Sequence, residues 1–246
     1  MKKTLLSSSK ETKTFIIVTI VLTLIFAFND NKQSFVFLQW FSNFLYTLIL
    51  VIITLSIHIL GIKLASSYFK QDSRFKLWDF TQFLFAEKRH FKKPLPIGIF
   101  VSLLITLMSN GAIFFTAIST FQTSHKKTIG RKFPNISERE IALIGIYSLL
   151  ANLILLIIFK LLGIQQGLLI NSWFILWNLL PISDLIGSQI FFGSRTLYFF
   201  SLFFILLFLL FISTLNIFST VILVLLFTAI LTVIYFRYIE YKASTK

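Results

Sequence analysis

The sequence predicts an all-α, polytopic membrane protein of about six transmembrane helices plus one re-entrant hairpin. Three observations carry that expectation. Only 13% of the 246 residues are charged and 57% are hydrophobic, against about 25% charge in a soluble domain. Several apolar runs exceed the ~17 residues that a crossing helix needs. The 23 Lys and Arg residues cluster between those runs, as they do in cytoplasmic loops. The net charge of +14 therefore reads as positive-inside topology, not as a nucleic-acid surface. The chain has no cysteine, which excludes disulfides, thiol catalysis and Cys-ligated metals.

The elements follow in order. Met1 to Lys13 is a polar, basic tail, and Thr14 to Phe28 is a short first span. No small-x-small cleavage site follows it, so a membrane helix is expected, not a signal peptide. Asn29-Asp30-Asn31-Lys32 is a turn. Phe37 to Leu64 is a second span, longer than the ~20 residues needed to cross, and so tilted or projecting. Lys70 to Lys93 is a basic, aromatic connector expected on the membrane surface.

Pro94 to Phe121 is long enough to span once, but Ser109-Asn110-Gly111 interrupts it with a turn signal. Eight Lys or Arg residues lie between Lys63 and Pro96, and five between Gln122 and Glu140. A single crossing puts one of these basic loops outside. A re-entrant hairpin turning at Asn110-Gly111 keeps both inside, provided that protein covers its irregular backbone.

Ser137 and Glu140 fit a capping box. They precede a third span, Ile141 to Leu162. Its Gly145, Ser148, Ala151 and Asn152 form a small or polar stripe suited to close helix contact. The sequon Asn135-Ile136-Ser137 falls on an inner loop and reads as chance. Gly163 to Gln166 is an outer turn, and the fourth span runs from Gly167 to about Leu185. Gly187 to Arg195 is a short inner loop. Thr196 to Ser213 and Phe218 to Tyr235 are the last two spans. Both termini are then cytoplasmic, and only Lys32 and Lys160 of the basic residues fall outside. The chain divides into a tail with the first helix (1–36), a membrane core (37–195) and two C-terminal helices with a basic tail (196–246).

Two stretches depart from this pattern. Trp177 to Gly187, WNLLPISDLIG, places Asn178, Pro181 and Asp184 in an apolar region. Proline breaks a membrane helix, and an amide or carboxylate at depth needs a partner. Ser56 to Tyr68, SIHILGIKLASSY, carries His58 within a hydrophobic segment. His90 and His125 fall in basic loops and read as solvated. His58 is expected to face the Asn178–Pro181 break. Asp184 is expected near the cytoplasmic boundary, served by water, Ser183 or Arg195.

Together these stretches resemble the site-2-protease family of intramembrane zinc metalloproteases. That family carries HExxH on one membrane helix, with two histidines on zinc and a glutamate that activates water. A later helix carries N-x-x-P followed by L-D-G, whose aspartate is the third ligand. Here His58-Ile59-Leu60-Gly61-Ile62-Lys63-Leu64-Ala65 is similar to H-E-L-G-H-K-L-A. Asn178-Leu179-Leu180-Pro181, with Leu185-Ile186-Gly187, is similar to N-L-L-P followed by L-D-G. Leu150-Ala151-Asn152-Leu153 is similar to the family's P-L-A-N-L. The likeness runs over about residues 50 to 200 and implies a site-2-protease-like core.

The departures bear on the chemistry. The second histidine position is Ile62, the base position is Ile59, and the aspartate position is Ile186. Of the implied ligands only His58 remains, and a catalytic zinc needs three protein ligands plus water. Asp184 lies two residues from the matched position, about 200° around a helix, and is not expected to replace it. Zinc is thus expected to be lost and no catalytic residue to be intact. His58, Asn152, Asn178, Pro181 and Asp184 stand as motif remnants. The function implied is that of a catalytically inactive protease-like protein of the cell membrane. It would contact lipid, bind or regulate transmembrane helices of client proteins, and bind no nucleic acid. Two alternatives stay open. One is an active intramembrane metallopeptidase using His58, Asp184 and Asn178. The other is a transporter or channel component, which a broken helix and a re-entrant hairpin suit.

Overall fold

The computed structural model describes residues 8–28, 36–82, 90–125 and 137–237. Four helices are long and apolar enough to cross a bilayer: α2 (Phe37–Tyr68), α4 (Glu138–Leu161), α7 (Arg195–Ile212) and α8 (Ile217–Tyr235). They make the chain a helical membrane protein. The other two expected spans fall short. α1 (Ser9–Ala27) carries Lys10, Glu11 and Lys13 in its first turns, which leaves too short an apolar part. α5 (Gln165–Leu179) has 15 residues. At 1.5 Å per residue it is about 22 Å long, against a hydrocarbon core of about 30 Å.

Pro181 is the reason that α5 stops. Proline disfavours helical backbone at the residue before it, and Leu180 is extended (φ −66°, ψ 139°). The fourth helix thus ends at Leu179, not near Leu185. The stretch expected to be a loop from Gly187 is a helix, α6 (Ile186–Gly193). Gly187 permits the junction. A Cβ there would lie 2.0 Å from the Leu179 carbonyl oxygen.

The fold is not all-α. The connector expected on the membrane surface forms β1 (Gln71–Leu77) and β2 (Phe80–Gln82), and β3 (His90–Leu95) follows. β1 pairs antiparallel with β4 (Ser119–His125), with Phe75 opposite Phe121, and β2 pairs with β3. The alternation in β1 is real: Gln71, Ser73 and Phe75 are buried. Arg74 and Lys76 between them gave the stretch its basic, surface-like appearance. His90 and His125 lie in strands β3 and β4, not in loops.

The segment expected to form a re-entrant hairpin does reverse on itself, in an asymmetric form. α3 (Ile97–Met108) is 12 residues long, about 18 Å at 1.5 Å per residue. The chain turns at Ser109–Gly111, where Asn110 (φ 51°) and Gly111 (φ 77°) adopt left-handed backbone. It returns as extended chain into β4, not as a second helix. Both arms meet at Trp78. Its N–H donates to the Ile118 carbonyl (2.8 Å), and its carbonyl accepts from the Gly98 N–H (3.1 Å). A Cβ on Gly98 would lie 2.9 Å from the Ile118 Cα, so the two ends of the hairpin touch. The returning arm is covered by protein, as irregular backbone at depth requires. Phe114 stacks on Phe26 of α1, Phe115 packs on Trp177 of α5, and the Thr116 hydroxyl donates to the Trp173 carbonyl.

Ser137 is the N-cap of α4, but its side chain makes no capping bond. The Glu140 carboxylate instead accepts from the Gln71 amide on β1. A strand partner has displaced the expected capping box. The sequon residue Asn135, the turn at Asn29–Lys32 and the basic residues Lys126 to Lys132 lie outside the described residues. Lys160, expected at an outer helix end, donates to the carbonyls of Ile212 and Leu215, where α7 ends.

Candidate functional site

The site lies where α2, α4 and α5 meet. Gly61 of α2 sets the crossing with α4. A Cβ there would lie 2.9 Å from the Ser148 Cα and 3.0 Å from the Ala151 Cβ. This close approach uses the small stripe that the sequence shows on α4. Gly145 of the same stripe makes room for Ile186, whose Cγ2 would lie 2.9 Å from an added Cβ.

One turn before Gly61, His58 is 1% exposed. Its ring sits edge-on to Phe174 of α5, with centroids 5.0 Å apart. The Ser148 backbone of α4 is a hydrogen-bonding neighbour. Its Nδ1 has no protein partner. Asn178 lies one turn beyond Phe174 but does not reach His58. Its amide donates back along its own helix to the Phe174 carbonyl (2.8 Å), and its Oδ1 is left without a protein partner. The two polar patches were expected to satisfy each other. They do not, because Asn178 folds onto α5 and Phe174 takes the face toward His58. Pro181 is exposed at the end of the break.

Asn152 is fully buried on α4, and both ends of its carboxamide lack protein partners. Its backbone carbonyl accepts from Asn171 of α5 (2.6 Å). Asn171 escaped the sequence reading. Its spacing of seven from Asn178 places both on one helix face, and that signal was available.

The three isoleucine positions are packed core. Ile59 is 2% exposed, Ile62 1% and Ile186 0%. Ile62 and Ile186 share one cluster with Leu149, Leu153, Ile175 and Leu179. Ile59 packs in the neighbouring cluster with Leu55, Ile118, Leu155 and Phe174. Asp184 is far more open, with its side chain 64% exposed, and it faces Lys76 of β1 at 3.7 Å. The sheet serves it, not Ser183 or Arg195. Its backbone carbonyl accepts from Thr120 (2.6 Å) and Gln189 (3.1 Å). Asp184 therefore belongs to the sheet surface, and His58 to the interior.

A catalytic zinc, implied by the motif resemblance, does not fit these residues. Among the described residues no three His, Cys, Asp or Glu side chains gather, and such a site needs three ligands and an open position.

A second polar group, also missed by the sequence reading, joins the first turn of α1 to the last turns of α2. Glu11 is 2% exposed and lies 2.7 Å from the Lys63 ammonium. Lys63 also donates to the Ser73 carbonyl (2.5 Å), and Glu11 accepts from the Phe75 N–H (2.9 Å). The pair thus covers one edge of β1. On the other side of the sheet, Gln189 of α6 donates to the Phe121 carbonyl of β4 (3.1 Å). No protein-family model matches the chain, and neither the curated proteins nor the solved structures offer a match.

Proposed function

We propose that this chain is a catalytically inactive, site-2-protease-like membrane protein, a pseudoprotease that binds transmembrane segments of client proteins. One observation carries the reading. The positions that the motif resemblance assigns to a base and two ligands are buried isoleucines, packed across α2, α4 and α6. Apolar replacement of a whole polar set avoids stranding a buried charge. The arrangement is that of a consolidated core. The helix order adds support: a histidine-bearing helix, a re-entrant segment with a strand, and a later helix broken at proline.

Client binding rests on the β1–β4 sheet. The Phe75 N–H points away from β4, toward Glu11. Its register partner Phe121 points away from β1, toward Gln189. Two residues on, Thr123 presents the same outer edge, where an extended client segment can add. The zone of Lys and Arg residues around it supports a cytoplasmic position for this edge.

The test uses purified protein in liposomes with a single-span membrane protein as client. The reading predicts binding, weakened by Thr123→Pro, and no chelator-sensitive cleavage. Cleavage lost in His58→Ala would establish the metallopeptidase instead. Ion flux without client would establish the transporter.

A further inference from the structure

The junction of α2, α4 and α5 holds more polar atoms than the protein itself satisfies. Thr54, His58, Asn152, Asn171 and Asn178 are each no more than 1% exposed. Between them, six side-chain atoms lack a protein partner: Thr54 Oγ1, His58 Nδ1, Asn152 Oδ1 and Nδ2, Asn171 Oδ1 and Asn178 Oδ1. These groups lie on three helices that pack against one another. Thr54 is one turn from His58 on α2. His58 packs on Phe174, which lies one turn from Asn171 in one direction and from Asn178 in the other. Asn171 is bonded to the backbone of Asn152.

Several other buried helical hydroxyls among the described residues behave differently. Thr23, Ser102, Thr106 and Ser201 each donate to the carbonyl four residues back, the usual local solution. Thr54 does not, and an asparagine amide cannot be left unpaired in hydrocarbon without a cost of several kcal/mol.

Charge selects the ligand. None of the five is a carboxylate, Lys or Arg. The nearby charges are committed elsewhere, Glu11 to Lys63 and Asp184 to Lys76. A bare cation or anion would be an uncompensated charge at bilayer depth. The unpartnered set mixes donors, the Asn152 amide and the Thr54 hydroxyl, with acceptors, and water can answer both. We propose that this junction is an internal water site, holding about two waters at roughly three bonds each. The site stands on these polar atoms alone, and does not depend on the pseudoprotease reading. It keeps the three helices joined through solvent at a depth where the neighbouring core is apolar.

The chain has three histidines, so His90→Gln with His125→Gln leaves His58 as the sole imidazole. The full chain, labelled with ¹⁵N-histidine and reconstituted in liposomes, is read by water-edited solid-state NMR. Water magnetisation is expected to reach the His58 ring within short mixing times, as it does for a hydrated group and not for one in dry core. The transfer is expected to fall several-fold in Asn152→Leu, with His58 shifts that show the fold intact. Should that variant misfold, Asn171→Leu gives the same reading. No transfer to His58 in the unsubstituted junction would overturn the proposal. So would a transfer unchanged in the folded variant, or a His58 shift on exchanging choline for sodium, which would assign a cation.

Discussion

Glu11–Lys63 and the His58 junction are both buried polar groups in an apolar chain, and they are resolved in opposite ways. At the Glu11–Lys63 pair the polar groups are met across elements. Glu11 has Lys63 and the Phe75 N–H, and Lys63 has Glu11 and the Ser73 carbonyl. At the junction, the asparagines and His58 keep unpartnered atoms. The difference follows from what each region packs against. The sheet edge supplies backbone donors and acceptors to the Glu11–Lys63 pair. Helices consume their own backbone groups, so three packed helices have few to offer. Polar residues near a strand edge are therefore fixed by protein, whereas those between helices are left to a small polar guest.

The largest expected effect tests the fully partnered region. Glu11→Ala leaves a largely buried ammonium and an orphaned Phe75 N–H, and should cost about 3–5 kcal/mol. Unfolding in bicelles measures it. The double change Glu11→Met with Lys63→Met should recover most of the loss. If the single change costs less than about 1 kcal/mol, as a surface pair would, the contrast between the regions fails.

A smaller effect probes the crossing that shapes the junction. Gly61→Ala puts a methyl 2.9 Å from the Ser148 Cα. Backbone must move, at about 1–3 kcal/mol. Gly163→Ala, with nothing within 4 Å of its added Cβ but φ +69°, is a control for backbone strain without a clash. The smallest effect lies within the junction. Asn178→Leu loses one local bond to Phe174 and one bond to junction water, while adding apolar packing, so stability should change by no more than about 1 kcal/mol. A loss several times larger would mean that Asn178 has a stronger partner than its own helix.

Much of the fold was legible because it is written locally. α4, α7 and α8 match apolar runs to within a few residues, and Asn110-Gly111 and Pro181 mark the turn and the break that occur. The sheet was not legible, because β1 and β4 lie far apart in sequence and charged residues alternate with the buried face of β1. Glu11 and Lys63 are 52 residues apart, and no helical spacing announces such a pair. Of the motif residues, His58, Asn152 and Asn178 do share one junction. Asp184 and Pro181 do not: both are exposed past the end of α5, and Asp184 faces Lys76 of the sheet. α6 covers most of Gly187 to Arg195, the stretch expected to be a short loop, and nothing local marks it as a helix; its Gly187 and Ser188 show why. Both are buried where α6 abuts the end of α5.

Metal content tests the central claim most directly. Protein purified without chelator from zinc-supplemented cells should carry far less than one zinc per chain. His58→Ala should leave that trace unchanged, because Ile62, Ile59 and Ile186 offer no donor atoms. One zinc per chain, lost in His58→Ala, would contradict the account.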